Sequence, residues 1–143
     1  MKIALTLTFF IFLSGCDLIT WQPDMRDKIP SSIPIKKRLY SNARLTECAI
    51  NIFELEKVDF DKQNFTDDPS WQSTPIQGKI YDMSKAAASI AFSHNCLKGQ
   101  KDYQKMVNQY DTEQGAYFKT IDGDGLVLLY VPENNILLVI DWD

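Results

Sequence analysis

Histidine occurs once in the 143-residue chain, as His94, so a zinc site built on several histidines cannot form. Basic residues are in the minority: 15 Lys plus Arg face 19 Asp plus Glu, leaving a net charge of −4 and a pI near 4.9. A nucleic-acid surface needs clustered positive charge to displace counterions from phosphates, and no basic stripe stands out. Six Gly and six Pro are too few for a collagen-like or a Gly/Pro-rich disordered chain. The sequence has no phosphate-cradling Gly loop, no dinucleotide fingerprint and no Gly-x-Ser-x-Gly nucleophile elbow. No cofactor or metal is called for. What is present, 45% hydrophobic, 12% aromatic and 24% charged residues, is the composition of one globular domain.

The N-terminus carries the clearest signal. Met1-Lys2 leads into eleven residues, Ile3 to Leu13, that are apolar apart from Thr6 and Thr8. As a helix this run spans roughly 16 Å, about half of a ~30 Å hydrocarbon core, so it reads as a cleaved secretory signal and not as a permanent span. Leu13-Ser14-Gly15-Cys16 then resembles the lipobox of bacterial lipoproteins. The resemblance implies a signal peptide over 1–15, diacylglycerol (and usually a further acyl chain such as palmitate) on Cys16, and a mature chain beginning there. Two or three acyl chains hold a protein on a membrane, whereas one binds reversibly. Asp17 resembles the signal that retains lipoproteins of enteric bacteria in the inner membrane. The expected location is the envelope of a diderm bacterium, lipid-anchored on the periplasmic face, with the inner membrane favoured over the outer.

Three prolines, Pro23, Pro30 and Pro34, lie in an aperiodic stretch, so residues 16–37 read as a tether, about 18 residues of which would reach roughly 55 Å in polyproline II form. Trp21 within it suits either lipid headgroups or docking on the domain. Residues 38–143 read as a single α+β domain. Leu45, Cys48, Ala49, Ile52 and Phe53 fall at helical spacing, predicting a helix from Ser41 to about Lys57, although a strand reading through Cys48, Ile50 and Ile52 competes. Asp59 to Gly78 is a long loop, with Trp71 pinning it to the core. A second helix starts near Asp82 or Ser84 and ends at Lys98-Gly99, where Gly supplies a left-handed cap. A third spans about Gln100 to Thr112, with Tyr103, Met106, Val107 and Tyr110 as its stripe. The period then shortens to two. Ala116 to Ile121, Leu126 to Val131 and Ile136 to Trp142 read as strands joined by Asp122-Gly123-Asp124-Gly125 and Pro132-Glu133-Asn134-Asn135, both strong turn sequences. The fold expected is α+β: two or three helices followed by a C-terminal three-stranded antiparallel β-meander. The two apolar strands need cover on both faces, from helical segments, from a second copy in a homodimer, or from a partner.

With Cys16 lipidated, Cys48 and Cys96 remain as an even pair in an oxidising compartment, which predicts a disulfide. The competing idea, a Cys96 nucleophile with His94 as base, places the two only two residues apart, where helical side chains diverge. Asp122-Gly123-Asp124-Gly125 begins like a calcium loop, but Leu126 and Val127 stand where such a loop needs an oxygen ligand and Gly. A hydrolase of cell-wall material would need paired carboxylates, for which Glu47, Glu54 and Glu56 are candidates. No catalytic residue is assigned. The preferred reading is a non-enzymatic protein-binding module, either an immunity or inhibitor lipoprotein or an accessory of an envelope complex. Its binding surface is expected where Asp141-Trp142-Asp143 meets Asp122 and Asp124, an acidic patch around one aromatic ring, suited to a basic protein partner.

Overall fold

A computed structural model describes residues 24–44, 48–56, 68–76, 95–121 and 125–141. Six strands form one antiparallel sheet: β1 (Ile35–Arg44), β2 (Cys48–Leu55), β3 (Gln72–Ser73), β4 (Tyr117–Ile121), β5 (Leu126–Val131) and β6 (Ile136–Asp141). Their order across the sheet is β1-β2-β6-β5-β4-β3. One helix, α1 (Lys101–Thr112), and a short 3-10 turn at Arg26–Lys28 complete the described elements. Among the described residues no helix is long and apolar enough to cross a membrane.

The centre of the sheet is made by β2, β6 and β5, and every residue of β5 is buried. Burial on both sides explains why these strands read as continuous apolar runs: neither pleat face meets water, so nothing selects polar residues at alternate positions. On one face Ile50, Ile52, Phe118, Val127, Leu129, Leu138 and Ile140 pack with Cys96, Leu97 and the α1 residues Val107 and Tyr110. On the other, Phe53, Leu55, Leu126, Leu128, Tyr130, Leu137 and Val139 pack with Met25, Ile29 and Ile33 from the segment around the 3-10 turn. Each layer removes many large side chains from water, at about 25 cal/mol per Å² of apolar surface, and together they hold the sheet.

Three expectations are corrected. The stretch predicted as a helix from Ser41 to Lys57 contains the last residues of β1 and all of β2. Helical spacing and two-sided strand burial predict the same apolar positions here, and β-branched Ile50 and Ile52 decide for the strand. The expected order, helices and then a three-stranded meander, gives way to a six-stranded sheet whose first two strands precede α1. Three C-terminal strands do lie at 117–121, 126–131 and 136–141, but β6 also pairs with β2, so they are the middle of a larger sheet. The tether is shorter than predicted: from Met25 on, its apolar residues are buried in the second layer, and Ile35, Lys36 and Lys37 already belong to β1. The two apolar strands are covered on both faces within one chain, and Leu126, Leu128 and Val139 are 1% exposed or less.

Most of the second predicted helix lies outside the described residues. Its end is described, and Gly99 has the left-handed φ of +87° expected of the cap. Helix α1 falls where Tyr103, Met106, Val107 and Tyr110 predicted it. Trp71, half-buried, packs against the second layer.

Candidate functional site

With both faces covered, the sheet offers its two ends and its long edge. Register fixes what meets at each end. Arg44 pairs with Cys48, Ala49 with Asp141, and Ile121 with Leu126, so the start of β2, the end of β6 and the β4–β5 turn share one end. At the opposite end lie Ile35, Leu55, Val131 and Ile136. Glu133, in the turn between β5 and β6, therefore sits away from Asp141.

The first end is stapled. Cys48 and Cys96 form a disulfide with Cα atoms 6.1 Å apart. Two β1 side chains reach the same place: Tyr40 Oη donates to the Cys96 carbonyl at 2.9 Å and Asn42 Nδ2 donates to it at 2.8 Å. Tyr40 also stands against Tyr103 of α1, ring centroids 6.2 Å apart. Cys96 is thus a structural residue, and its sulfur is unavailable as a nucleophile.

Asp141 ends β6 at this stapled end, half-buried. The other residues assigned to the acidic patch, Asp122, Asp124, Trp142 and Asp143, lie outside the described residues, as do Cys16 and Asp17. The described residues Ile121, Leu126 and Asp141 come to one end of the sheet.

The edge strand β1 carries a group that sequence reasoning passed over. Lys37 lies opposite Glu54, yet Lys36, its neighbour in sequence, also reaches Glu54. Consecutive strand residues ordinarily point to opposite faces. The register explains the exception: Ile35 pairs with Leu55 and Lys37 with Glu54, so Lys36 is an extra, bulged residue, and a bulge re-aims its side chain. Lys37 Nζ stands 3.1 Å from Glu54 Oε2, while Lys36 donates to Oε1. The Lys36 hydrogen bond, then that of Lys37, holds the Glu54 carboxyl below its ordinary range. A second irregularity leaves Leu39 unpaired between Arg38, opposite Phe53, and Tyr40, opposite Ile52. Leu39 is the large hydrophobic residue that stands exposed among the described residues, at 37%. The signal was the run Lys36-Lys37-Arg38, hidden because a proline-marked tether seemed to end inside it.

At the other edge, two-residue β3 is tied to β4 through Thr74, whose N–H donates to the Ala116 carbonyl and whose Oγ1 accepts from Ala116 N–H. Lys119 pairs there with Asp68, whose carboxyl is held low by the Ser70 hydroxyl first, then by its backbone N–H and by Lys119. Among the described residues no three His, Cys, Asp or Glu side chains gather closely enough to hold a metal ion. Comparison with protein-family models, curated proteins and solved structures finds no match to this chain.

Proposed function

We propose that this chain is a lipid-anchored lipoprotein of the bacterial envelope whose folded domain binds a protein partner without carrying out chemistry, as an immunity or inhibitor protein or as an accessory of an envelope complex. The observation that carries the reading is the division of the three cysteines. Cys48 and Cys96 are joined, as befits an oxidising compartment, and the remaining one, Cys16, stands in Leu13-Ser14-Gly15-Cys16. Acylated Cys16 is the anchor, and Asp17 directs retention in the inner membrane.

The domain suits presentation. A sheet buried on both faces and stapled at one end is a rigid support, and rigid supports make interfaces with little ordering cost. An acidic patch of Asp122, Asp124, Asp141, Trp142 and Asp143, as the sequence leads one to expect, would receive a basic partner: charge speeds encounter and the indole anchors. The alternative, hydrolysis through paired carboxylates, asks for one carboxyl with a raised pKa. Glu54 is displaced the other way by its two lysines.

The test is fractionation of cells producing the wild type and Cys16→Ala. The wild type should sediment with membranes and bring a specific protein with it on detergent extraction. Cys16→Ala should appear in the soluble periplasmic fraction or as uncleaved precursor. A Cys16→Ala protein still found mature in membranes would overturn the anchor.

A further inference from the structure

The protein-binding reading leaves open what the long edge of the sheet does, and on that reading rests the following. Strand β1 spans 10 residues and is paired on one side only, by β2, among the described residues. The other edge is a two-residue strand. A long edge presents main-chain donors and acceptors to any extended chain, and proteins commonly guard such edges with Lys and with bulges. Both guards are here. They also have a direction: positive charge repels a like-charged strand and attracts an acidic one.

We propose that the β1 edge is a docking strand for an extended, acidic peptide segment of a partner protein, which adds to the sheet beside Lys36, Lys37, Arg38 and Leu39. The two bulges set the recognition. One turns Lys36 toward the same carboxylate as Lys37, so two ammonium groups gather at one point. Their side chains remain 55% and 59% exposed. An ammonium has three donors, so each can take a second carboxylate in addition to Glu54. The other bulge releases Leu39, supplying one apolar contact directly after the charged ones. Main-chain pairing gives such complexes affinity and the side chains at alternate positions give specificity.

An anionic bilayer is the rival occupant, because the anchor would lie close: eight chain steps separate Cys16 from Asp24, a reach of at most about 28 Å. Charge balance decides against it. The basic residues in the first half of β1, Lys36, Lys37 and Arg38, are matched by Glu54, Glu56 and Glu133 at the same end of the sheet. Asn135 bonds the turn carrying Glu133 to Leu55, at the end of β2. A bilayer sums charge over a broad area and meets none in excess, whereas a strand running about 4.8 Å away meets residues one at a time.

The experiment uses the mature chain from residue 16 with Cys16→Ser, so that its outcome is independent of acylation. Fluorescein-labelled decapeptides alternating Glu with Thr or Val are titrated against it, beside the matching Lys peptide and a Glu peptide N-methylated at alternate residues. The Glu peptide should bind at least tenfold more tightly than either of the others, and more weakly as salt rises. Lys36→Glu/Lys37→Glu/Arg38→Glu should reverse the preference toward the Lys peptide. Should that variant fold poorly, Arg38→Glu with Leu39→Thr should still weaken the Glu peptide several-fold, while Lys101→Gln/Lys105→Gln on α1 leaves it unchanged. Equal binding of the N-methylated peptide would overturn strand addition. So would binding to phosphatidylglycerol vesicles in preference to peptide, or a β1-dependent dimer that excludes the peptide. Failure of lipidation in cells would leave this result standing, and failure here would leave the anchor standing.

Discussion

Asn135 holds Leu55 from two sides: its carbonyl accepts the Leu55 N–H at 3.0 Å and its Nδ2 donates to the Leu55 carbonyl at 2.8 Å. The residue lies in the left-handed region, φ 53°, at the close of the β5–β6 turn. Asn tolerates that conformation better than most side chains. Asn135→Ala should therefore cost about 1–2 kcal/mol, from a lost hydrogen bond to a half-buried carbonyl and from the strained φ. Asn135→Gly should cost less, since Gly relieves the strain. Urea midpoints check the order, and a larger loss for Gly would contradict it.

The Cys48–Cys96 disulfide closes a sequence separation of 48 residues. Loop-closure entropy for a loop of that size is worth about 4 kcal/mol, a large part of the 5–15 kcal/mol that small domains possess. Cys48→Ser/Cys96→Ser should lower the denaturation midpoint accordingly. A shift below about 1 kcal/mol would mean that the Tyr40 and Asn42 contacts to Cys96 already order this end.

Glu54 makes stability fall on the acid side. Its folded pKa lies below the ordinary glutamate value of 4.5, so its contribution is fully present above that pH and is lost as pH falls through the folded value. Tyr130 acts at the opposite limit: burial first, and Tyr117 second, raise its pKa above 10, so stability is lost as pH rises through the folded value. Denaturation measured from pH 6 to 3 should be flatter for Glu54→Gln than for wild type. An unchanged slope would show that the lysine pair contributes nothing.

Asn51 is fully buried on the second face, between Ser41 of β1 and Val139 of β6, and neither of its amide atoms has a hydrogen-bond partner among the described residues. Burying unpaired amide atoms costs free energy, and removing them costs none of it. Asn51→Leu should leave stability equal or raise it by about 1–3 kcal/mol, read from thermal and urea unfolding. A loss exceeding 2 kcal/mol would show that the amide is needed there.

Replacing Asp122, Asp124, Asp141 and Asp143 together by Asn tests the acidic end. Thermal stability should change little, while association with the partner captured from membranes slows at low salt and the difference shrinks at high salt. Unchanged association rates at low salt would remove these residues from the interface.

How far the sequence could be read follows from where each element meets water. Strands β4 to β6 were legible because Gly123, Gly125 and Asn135 mark their turns; Gly125 and Asn135 do adopt positive φ. Helix α1 was legible because one side of it stays exposed, so its apolar residues keep a 3.6 period. Strand β2 was not, because burial on both faces erases the alternation that separates strand from helix. Strand β1 was hidden by its bulges: Lys36 and Leu39 each add a residue and break the period of two. Of the candidate sites, the lipobox and the cysteine pair rest on residue identity alone and needed no fold. The basic edge needed the register, because only pairing with β2 shows that Lys36 and Lys37 converge on Glu54.

The central claim is that Cys16 is the N-terminal residue of the mature chain and carries lipid. Intact-mass and N-terminal peptide mass spectrometry of the protein extracted from membranes with detergent measures this directly, without reductant. The account predicts a chain that begins at Cys16, heavier than its sequence by a diacylglycerol and an N-acyl group, and lighter by two hydrogens for Cys48–Cys96. A chain that retains residues 1–15, or one that begins at Cys16 with an unmodified thiol, would contradict it.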